Sequence, residues 1–406
     1  MRSHDVSAYP LLIPSHSPKP LLICFSHLRW SFVWQRPQHL LSLAARDYRV
    51  LFIEEPLLAP VHEAHLDISN GPGAVTVVVP VLPESLDPED LRNERKRLLD
   101  DLLEEIGAPV AVSWFYTPMA LDSYGHVEAD VCVYDCMDEL SAFRNAPPGL
   151  HRYEAELFER ADVVFTGGQS LFEAKRDYHA NVHCFPSSID AAHFRQARKP
   201  CGPDPSDQVN IGRPRIGFFG VIDERMDPSL VAEMAELKPN WQLVIIGPYA
   251  KIDPADLPRK PNIHWLGAKQ YEELPSYLAH WDLGFMPFAI NEATRFISPT
   301  KTPEFLAAGL PVVSTPVTDV VRTYGGDGYV EIAKNAREMV EKATMLLKRP
   351  RATWLERVDQ MLAITSWDST WRKMSQEIEF LRAKRKSLRL PPVQVETIGA
   401  GEVSRV

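Results

Sequence analysis

The sequence predicts an α/β protein with two doubly wound domains of parallel strands that face each other across a cleft. Short apolar runs alternate with helical patterns through both halves of the 406 residues. The runs are rich in β-branched residues and nearly free of polar ones, as strands covered on both faces are. A polar segment rich in Pro and Gly, residues 195–214, separates the two series. Alternation of strands and helices is typical of parallel sheets, and this length favours two domains.

The first domain is predicted over residues 1–194. Its strands are expected at residues 21–25, 50–55, 75–80, 110–115, 131–135, 162–166 and 182–186. Its helices are expected at residues 37–45, 88–106, 151–160 and 170–179.

The second domain is predicted over residues 215–366, after a linker at 195–214. Its strands are expected at residues 215–220, 242–247, 263–267, 282–288 and 311–315, and its helices at 228–237, 271–280, 302–308 and 335–347. Beyond Pro350 only helix fits the pattern, with one long helix from Trp367 to Leu388 and a disordered tail at 391–406.

Composition excludes several classes of function. The formal net charge of −10 argues against nucleic acid as a partner, because phosphate binding needs a basic face. The five cysteines complete no zinc site, so no metal is expected and free thiols in a reducing compartment are preferred. No stretch approaches 18 apolar residues, and the first 20 residues lack an apolar signal core. We therefore expect a cytoplasmic protein.

The loop after the first strand is rich in aromatic and basic residues, "FSHLRWSFVWQRPQHLL" from Phe25 to Leu41. Ligands of parallel sheets bind beyond the carboxyl ends of the strands, so this loop is expected to line the cleft. Aromatic faces and guanidinium groups suit sugar rings and phosphates, which makes Arg29, Trp30 and Arg36 candidate binding residues. The alternative is that the aromatic side chains form a hydrophobic plug and that Arg36 is a capping partner.

Carboxylates follow another strand of the first domain, in "YDCMDEL". Asp138 and Glu139 are candidate catalytic residues, because a carboxylate there can take a proton from a hydroxyl nucleophile. Capping of a helix by Asp138 fits equally well. In "FTGGQSLFEAKR", Gly167 and Gly168 permit a close backbone approach to a ligand or to the other domain, and the Ser170 hydroxyl is interpreted as a helix cap.

The second domain offers a site for an anion. In "FFGVIDERMD", Gly220 ends a strand, and Arg225 lies in the loop where a diphosphate can be held.

The segment "ATRFISPTKTPEFLAAGLPVVSTP" gives the strongest signal. Ser298, Thr300 and Lys301 precede a predicted helix, whose free N–H groups would bind phosphate. Glu304 lies one turn further along and can accept hydrogen bonds from two ribose hydroxyls. A capping role for Glu304 is the weaker interpretation.

Several stretches together resemble a known family. "KTPEFLAAGLPVVST" resembles the signature of the nucleotide-binding domain of GT-B glycosyltransferases. With "WSFVWQRPQHLL", "YDCMDEL", "FTGGQSLFEAKR" and "NVHCFPSSID", the chain is similar to retaining family-four enzymes and to bacterial glycosyltransferases of the teichuronic-acid type. The resemblance covers residues 20–371.

This resemblance implies two Rossmann-like domains, with a nucleotide-sugar in the second, an acceptor in the first, and a final helix that crosses back to the first over residues 367–390. It implies that Glu304 binds the ribose, that Lys301 and Arg225 hold the diphosphate, and that the loop from Gly267 to Tyr271 borders the base. Many family-four enzymes carry two glutamates separated by seven residues, and Phe296 occupies the first of these positions here.

The predicted function is therefore transfer of a sugar, preferably from a UDP-sugar, to a glycan or lipid-linked acceptor in the synthesis of cell-surface polysaccharide. The nucleotide-sugar is a substrate, and no cofactor is expected. Two alternatives remain, an epimerase of the same fold and a non-catalytic nucleotide-sugar-binding protein. The basic end of the last helix, "LRAKRKSLRL", is either a solvated helix end or a contact with anionic lipid at the inner face of the membrane.

Overall fold

The computed structural model describes residues 19–199 and 202–389, with only the backbone of Arg389. Two separate sheets form the two domains. The strands of the first sheet are β1 (Leu21–Phe25), β2 (Arg49–Ile53), β3 (Leu57–Ala59), β4 (His65–Gly71), β5 (Val75–Pro83), β6 (Val110–Phe115), β7 (Val131–Cys136), β8 (Val163–Thr166) and β9 (Val182–Cys184). Their order is β3-β5-β2-β1-β6-β7-β8-β9, and β4 pairs with β5. The β4–β5 pair is antiparallel, whereas the pairs along this order are parallel.

The second sheet is parallel throughout its described strands. They are β10 (Arg215–Phe219), β11 (Gln242–Ile246), β12 (Ile263–Trp265), β13 (Leu283–Met286), β14 (Val312–Ser314) and β15 (Val330–Ile332), in the order β12-β11-β10-β13-β14-β15. Strands β1 and β10 are completely buried, as the apolar sequence of β1 and of β10 after Arg215 predicts.

Helices pack around both sheets. They are α1 (Arg36–Ala44), α2 (Pro88–Ile106), α3 (Leu121–Tyr124), α4 (Leu150–Arg160), α5 (Gln169–Lys175), α6 (Ala191–Arg195), α7 (Pro228–Leu237), α8 (Leu274–Leu278), α9 (Lys301–Ala307), α10 (Thr318–Val320), α11 (Ala336–Lys348), α12 (Ala352–Leu362) and α13 (Trp367–Arg389). The predicted fold class, two doubly wound α/β domains, is confirmed. The short edge strands β3, β4 and β15 were not predicted.

The second domain begins earlier along the chain than residue 215. Ile189 and Phe194 are buried in the core of the second domain. Arg198 donates to the carbonyl oxygens of Leu306 and Ala307. Residues 189–198 therefore pack with the second domain, which differs from the predicted boundary at 194 and from a free linker at 195–214. The Pro- and Gly-rich composition indicated turns correctly but gave no sign of this packing.

Helix α13 returns to the first domain. Trp367, Trp371, Met374 and Ile378 are buried in the core formed on one face of the first sheet. The indole N–H of Trp371 donates to the carboxylate of Asp47 at 3.2 Å. Helix α13, at the end of the chain, therefore completes the hydrophobic core of the first domain.

Some predictions concern residues outside the described part of the chain. These are the first 18 residues, the tail at 391–406 and Cys201. The other four cysteines are free thiols, and burial raises the pKa of both Cys132 and Cys184 to about 11. Among the described helices, none has the length and apolar composition that a membrane span requires.

Candidate active site

A cleft separates the carboxyl edges of the two sheets, and residues of both domains line it. We call its middle part the central cavity, which has a volume of about 800 Å³ with its open mouth included. Its polar lining comprises Gln35, Arg36, Asp138 and Ser187 from the first half of the chain and Arg225, Ser298, Thr300 and Lys301 from the second. The predicted residues Ser298, Thr300, Lys301, Arg225 and Asp138 are thus brought together.

Two glycines form the backbone floor of the second-domain side. Gly220 and Gly247 follow the adjacent strands β10 and β11, with φ angles of 143° and 155°. A Cβ atom on Gly247 would overlap the carbonyl oxygen of Gly220, and one on Gly220 would lie 2.8 Å from Cε of Lys301. Only glycine permits this close approach, so bare backbone faces the cavity. Gly247 was not predicted as a site residue, although it ends a strand as Gly220 does.

Gly267 lies two residues after the next strand, β12, and does not line the described cavities. Its φ angle is 70°, and its carbonyl oxygen accepts a hydrogen bond from the N–H of Gly247 at 2.9 Å. Gly267 therefore helps to hold the backbone of Gly247 in position by this hydrogen bond.

Glu304 lies in a second cavity, which we call the donor-side cavity. Its lining includes Trp34, Gly220, Gly247, Lys269, Tyr271, Lys301 and Glu304. The carboxylate is buried, and its Oε2 atom has no hydrogen-bond partner among the described residues. Burial raises the pKa of Glu304 to about 7, although the charge of Lys301 opposes this shift. The hydroxyl of Tyr271 is likewise buried without a partner.

Lys301 stands between the two cavities. Its ammonium group donates to the hydroxyl of Thr300 at 3.2 Å and makes no ion pair with any described carboxylate. Burial lowers the pKa of Lys301, and Glu304 opposes that shift. Helix α9 has only seven residues, so the charge offered to an anion here comes from the lysine side chain.

Part of the Arg225 guanidinium group forms an ion pair with a neighbouring carboxylate. Its Nη2 atom lies 2.6 Å from Asp223, and its Nε atom donates to the same group. Burial alone would lower the pKa of Arg225, but the Asp223 carboxylate raises it overall. The guanidinium group also stands 5.5 Å from the ring of Phe143 across the cleft. Its Nη1 group remains available to a ligand. Asp223 was not predicted.

Asp138 lies where the central cavity meets a larger cavity of the first domain, which we call the acceptor-side cavity. Asp138 lines both cavities. Burial raises the pKa of this carboxyl group, with Arg225 opposing and Asp223 adding to the shift. A short 3-10 helix begins at Leu140, but its N-cap residue is Glu139 and no side chain caps it, and the next α-helix begins only at Leu150. The alternative that Asp138 caps a helix is therefore wrong.

Glu139 points away from both cavities, which corrects its prediction as a catalytic residue. Its carboxylate forms an ion pair of 2.7 Å with Lys175 and accepts from the hydroxyl of Ser141 at 2.6 Å. Lys175 also contacts Glu154 at 2.9 Å. Glu139 thus belongs to a charge network that anchors α5 against α4.

The predicted acceptor-binding loop is mostly structural. Trp30 is 6% exposed, and its ring packs 5.0 Å from that of Phe52. Its backbone N–H donates to the carboxylate of Glu54 at 2.7 Å, and Arg29 pairs with the same carboxylate at 2.9 Å. The prediction that Trp30 offers a platform to a sugar is therefore wrong, and the alternative of a hydrophobic plug is confirmed for this residue.

Arg36 is buried rather than offered to a ligand. Its Nη2 atom lies 2.8 Å from Asp135, and its Nη1 atom donates to the carbonyl oxygen of Phe185 at 2.6 Å. Burial would lower the pKa of Arg36, but Asp135 raises it overall. Arg36 contributes to the wall of the central cavity, yet its donors are committed within the first domain.

The two domains touch beside the cleft. The backbone N–H of Ser170 donates to the Asp319 carboxylate of the second domain at 3.0 Å. Gly168 comes so close to Asp319 and Ser298 that no Cβ atom would fit. Phe296 packs against the core of the first domain. Gly168 thus serves contact between the domains, as one interpretation of the glycine pair predicted, whereas Gly167 makes room for the backbone of Met137 within the first domain.

Comparisons with known proteins identify similar sequences and similar folds. The family described as "Glycosyl transferases group 1" matches residues 213–349. A Bacillus subtilis protein named as a teichuronic acid biosynthesis glycosyltransferase, TuaH, is 31% identical over 206 residues, 46% of this chain and 50% of the relative. The match thus spans about half the length of that relative.

Solved structures resemble most of the chain. Sucrose-phosphate synthase from Thermosynechococcus elongatus superposes with a TM-score of 0.69 at 13% identity, covering 90% of this chain and 100% of that one. Anabaena HepE, solved in complex with UDP and glucose, gives a TM-score of 0.62 at 15% identity, covering 88% and 99%. At these identities the likeness establishes the fold. The chain therefore has the GT-B fold, and its residues 213–349 match the family of glycosyl transferases group 1, as the resemblance of its motifs predicted.

Proposed function

We propose that this protein is a glycosyltransferase that moves a sugar from a nucleotide diphosphate donor, a UDP-sugar, to a hydroxyl group of a glycan or lipid-linked acceptor in cell-surface polysaccharide synthesis. One observation carries the proposal. Asp138 lies at the junction of two connected cavities, one lined by Lys301 and Arg225 and the other extending into the first domain. Such an arrangement suits a reaction between two substrates that enter from opposite sides.

The donor fits the second-domain side. The Oε2 atom of Glu304 lacks a partner and is placed to accept hydrogen bonds from a ribose. Lys301 and Nη1 of Arg225 offer positive charge to a diphosphate, and the bare backbone at Gly220 and Gly247 lets it approach closely. Tyr271 and Lys269, which line the same cavity as Glu304, are placed to border the base.

In the transfer step, the acceptor oxygen bonds to the anomeric carbon while the bond from that carbon to the diphosphate oxygen breaks. Lys301 and Arg225 stabilise the negative charge that develops on the departing nucleoside diphosphate. Asp138 takes the proton of the acceptor hydroxyl, a role that its raised pKa suits because a proton acceptor works best when its pKa approaches the working pH.

Two other functions remain as alternatives. An epimerase of the same fold would use the donor site alone, and a binding protein would use it without chemistry. The acceptor-side cavity favours transfer over both, because neither alternative needs a second large cavity beyond Asp138.

Incubation with a panel of nucleotide-sugars and glycan acceptors distinguishes these functions. Transfer releases free nucleoside diphosphate only when acceptor is present. An isomerised sugar would support the epimerase, and binding without any conversion would support the binding protein.

Contact with an anionic membrane from the cytoplasmic side is a further part of the proposal. Of the basic residues at the end of α13, Arg382 pairs with Glu379 and Asp130, and Arg385 pairs with Asp162. Lys384 and Lys386 are exposed. These two lysines are therefore the side chains of this helix end that we assign to lipid contact.

A further inference from the structure

A groove continues from the acceptor-side cavity into the first domain. The acceptor-side cavity and the next cavity along share Glu55, Thr117, Met119 and Pro147 as lining residues. Together they form one channel that runs from Asp138 at the junction to Leu91 and Arg95 on α2. We call this channel the acceptor groove.

Two cations in this groove have no carboxylate partner among the described residues. Arg95 lies with its guanidinium carbon 5.3 Å from the ring of Tyr124, and its buried Nε atom has no hydrogen-bond partner. Lys251 projects from the second domain, with its ammonium group 5.5 Å from the ring of Phe143. By contrast, the nearby Arg29 is neutralised by Glu54.

The acidic groups of the groove do not balance these charges. Asp122 is paired with Arg92 and accepts from the hydroxyl of Tyr153, and Asp223 is paired with Arg225. Glu54 is paired with Arg29. Apart from Asp138 at the junction, Glu55 is then the one lining carboxylate of the acceptor groove that makes no ion pair in the described part of the chain. Burial raises the pKa of Glu55, while the charges of Arg29, Arg95 and Lys251 oppose this shift.

We propose that the acceptor groove binds an anionic group of the acceptor, a sugar carboxylate or a phosphate, between Arg95 of the first domain and Lys251 of the second. The inference rests on the proposed function, since it names the chemistry of the acceptor. The anion displaces Glu55 as the counter-charge of the two cations. Because Arg95 and Lys251 come from different domains, the bound anion also holds the groove closed.

Calorimetry with defined anions tests this assignment, with UDP present in excess so that the donor side is filled. A glucuronic-acid-terminated disaccharide and geranyl diphosphate are the two probes, and their uncharged analogues, a glucose-terminated disaccharide and geraniol, are the controls. The charged probe is expected to bind at least about tenfold more tightly than its neutral analogue. Binding of the first probe alone identifies a sugar carboxylate as the anion, and binding of the second alone identifies a phosphate.

Substitutions test which side chains bind the charged probe. Arg95→Gln and Lys251→Gln are each expected to weaken the charged probe about tenfold, whereas Lys96→Gln, on the adjacent exposed position of α2, leaves it unchanged. Glu55→Gln is expected to tighten binding, because it removes the competing counter-charge. Lys251 is exposed on a loop, so its variant tests the site even if Arg95→Gln fails to fold.

Equal affinity for charged and neutral probes, or binding that neither substitution weakens, overturns the inference. A separate titration of the wild type with UDP alone tests the proposed function. Absence of UDP binding would refute that function. The titrations with the charged and neutral probes, repeated without UDP, would still show whether the groove binds anions.

Discussion

The guanidinium group of Arg36 and the carboxylate of Asp135 form an ion pair of 2.8 Å in which the two side chains are 2% and 0% exposed. The pair links the start of α1 to the end of β7, directly beneath the central cavity. A buried charge that loses its partner is costly, whereas an intact pair is tolerated. This pair therefore keeps the cavity wall in place, and neither member is free to bind a substrate.

Removal of one member of that pair is expected to destabilise the fold. Arg36→Met should lower the free energy of unfolding by about 3–5 kcal/mol, because it leaves the Asp135 charge buried and alone. Chemical denaturation measures this loss. Arg46→Met is the matched control, since Arg46 and Asp368 form an exposed pair whose removal should leave the unfolding midpoint unchanged. An Arg36→Met protein as stable as the wild type would contradict the structural role.

Glu304 should make stability depend on pH. Burial raises its pKa in the folded protein to about 7, above the ordinary value of 4.5, so the folded state binds a proton more tightly than the unfolded state does. Its ionisation therefore destabilises the empty protein progressively as the pH rises from about 4.5 through 7, and no further above that. Glu304→Gln should increase the free energy of unfolding at pH 8 by about 1–3 kcal/mol. The gain should vanish at pH 4.5, and a gain that is equal at both pH values would exclude titration as its cause.

The same residue should be needed for donor binding. Glu304→Ala is expected to weaken binding of UDP and of uridine alike, by roughly 1.5–3 kcal/mol, because both ligands carry the ribose. Lys301→Ala should weaken UDP strongly and uridine little, because only UDP carries the diphosphate. Calorimetry with the two ligands separates these roles, and an equal loss for both ligands in Lys301→Ala would indicate a structural effect.

Asp138 should control turnover and its dependence on pH. Asp138→Asn is expected to lower kcat by about 10²–10⁴-fold while UDP affinity changes little, since in the proposed reaction the carboxylate acts on the acceptor hydroxyl. In the wild type, activity should rise with pH as this group loses its proton, at a pH above the ordinary aspartate range because burial raises its pKa. A variant that retains full transfer activity would remove Asp138 from the mechanism.

Contact with lipid should depend on two side chains. Lys384→Gln with Lys386→Gln is expected to reduce sedimentation with vesicles that contain acidic lipid at low salt, at about 1 kcal/mol for each lysine. The comparison is with vesicles of neutral lipid and with Lys96→Gln. Absence of any dependence on acidic lipid in the wild type would rule the contact out.

The sequence predicted the strands of both sheets well because a strand covered on both faces is apolar along its whole length. It did not reveal β4, whose residues "HLDISNG" are mostly exposed on an edge and resemble a loop. Helix α7 was predicted at its observed bounds, Pro228–Leu237, because Asp227 caps it and Pro228 suits its first turn.

The sequence predicted some residues of the candidate site correctly and assigned others to the wrong role. Ser298, Thr300, Lys301 and Glu304 lie within a few residues of one another, so local spacing was enough to bring them together. Arg36 and Asp135 are far apart in sequence, and no local pattern indicates which charges will neutralise each other. Asp138 lines the cavities whereas its neighbour Glu139 pairs with Lys175, and their shared chemistry gave no means of choosing between them. Contacts between residues that are distant in sequence decide whether a cation binds a ligand or pairs with a carboxylate of the protein itself.

Helix α13 has a consequence for the order in which the protein is made. Trp367, Trp371, Met374 and Ile378 fill part of the core of the first domain, yet the ribosome adds them only after the whole second domain. Until then, the apolar surface around Trp114 and Phe165 lacks its cover. The core of the nascent first domain therefore stays incomplete, with apolar surface exposed, until the last helix has been made. A chain that stops short of residue 367 would keep all the predicted substrate-binding residues and still lack part of the domain built first.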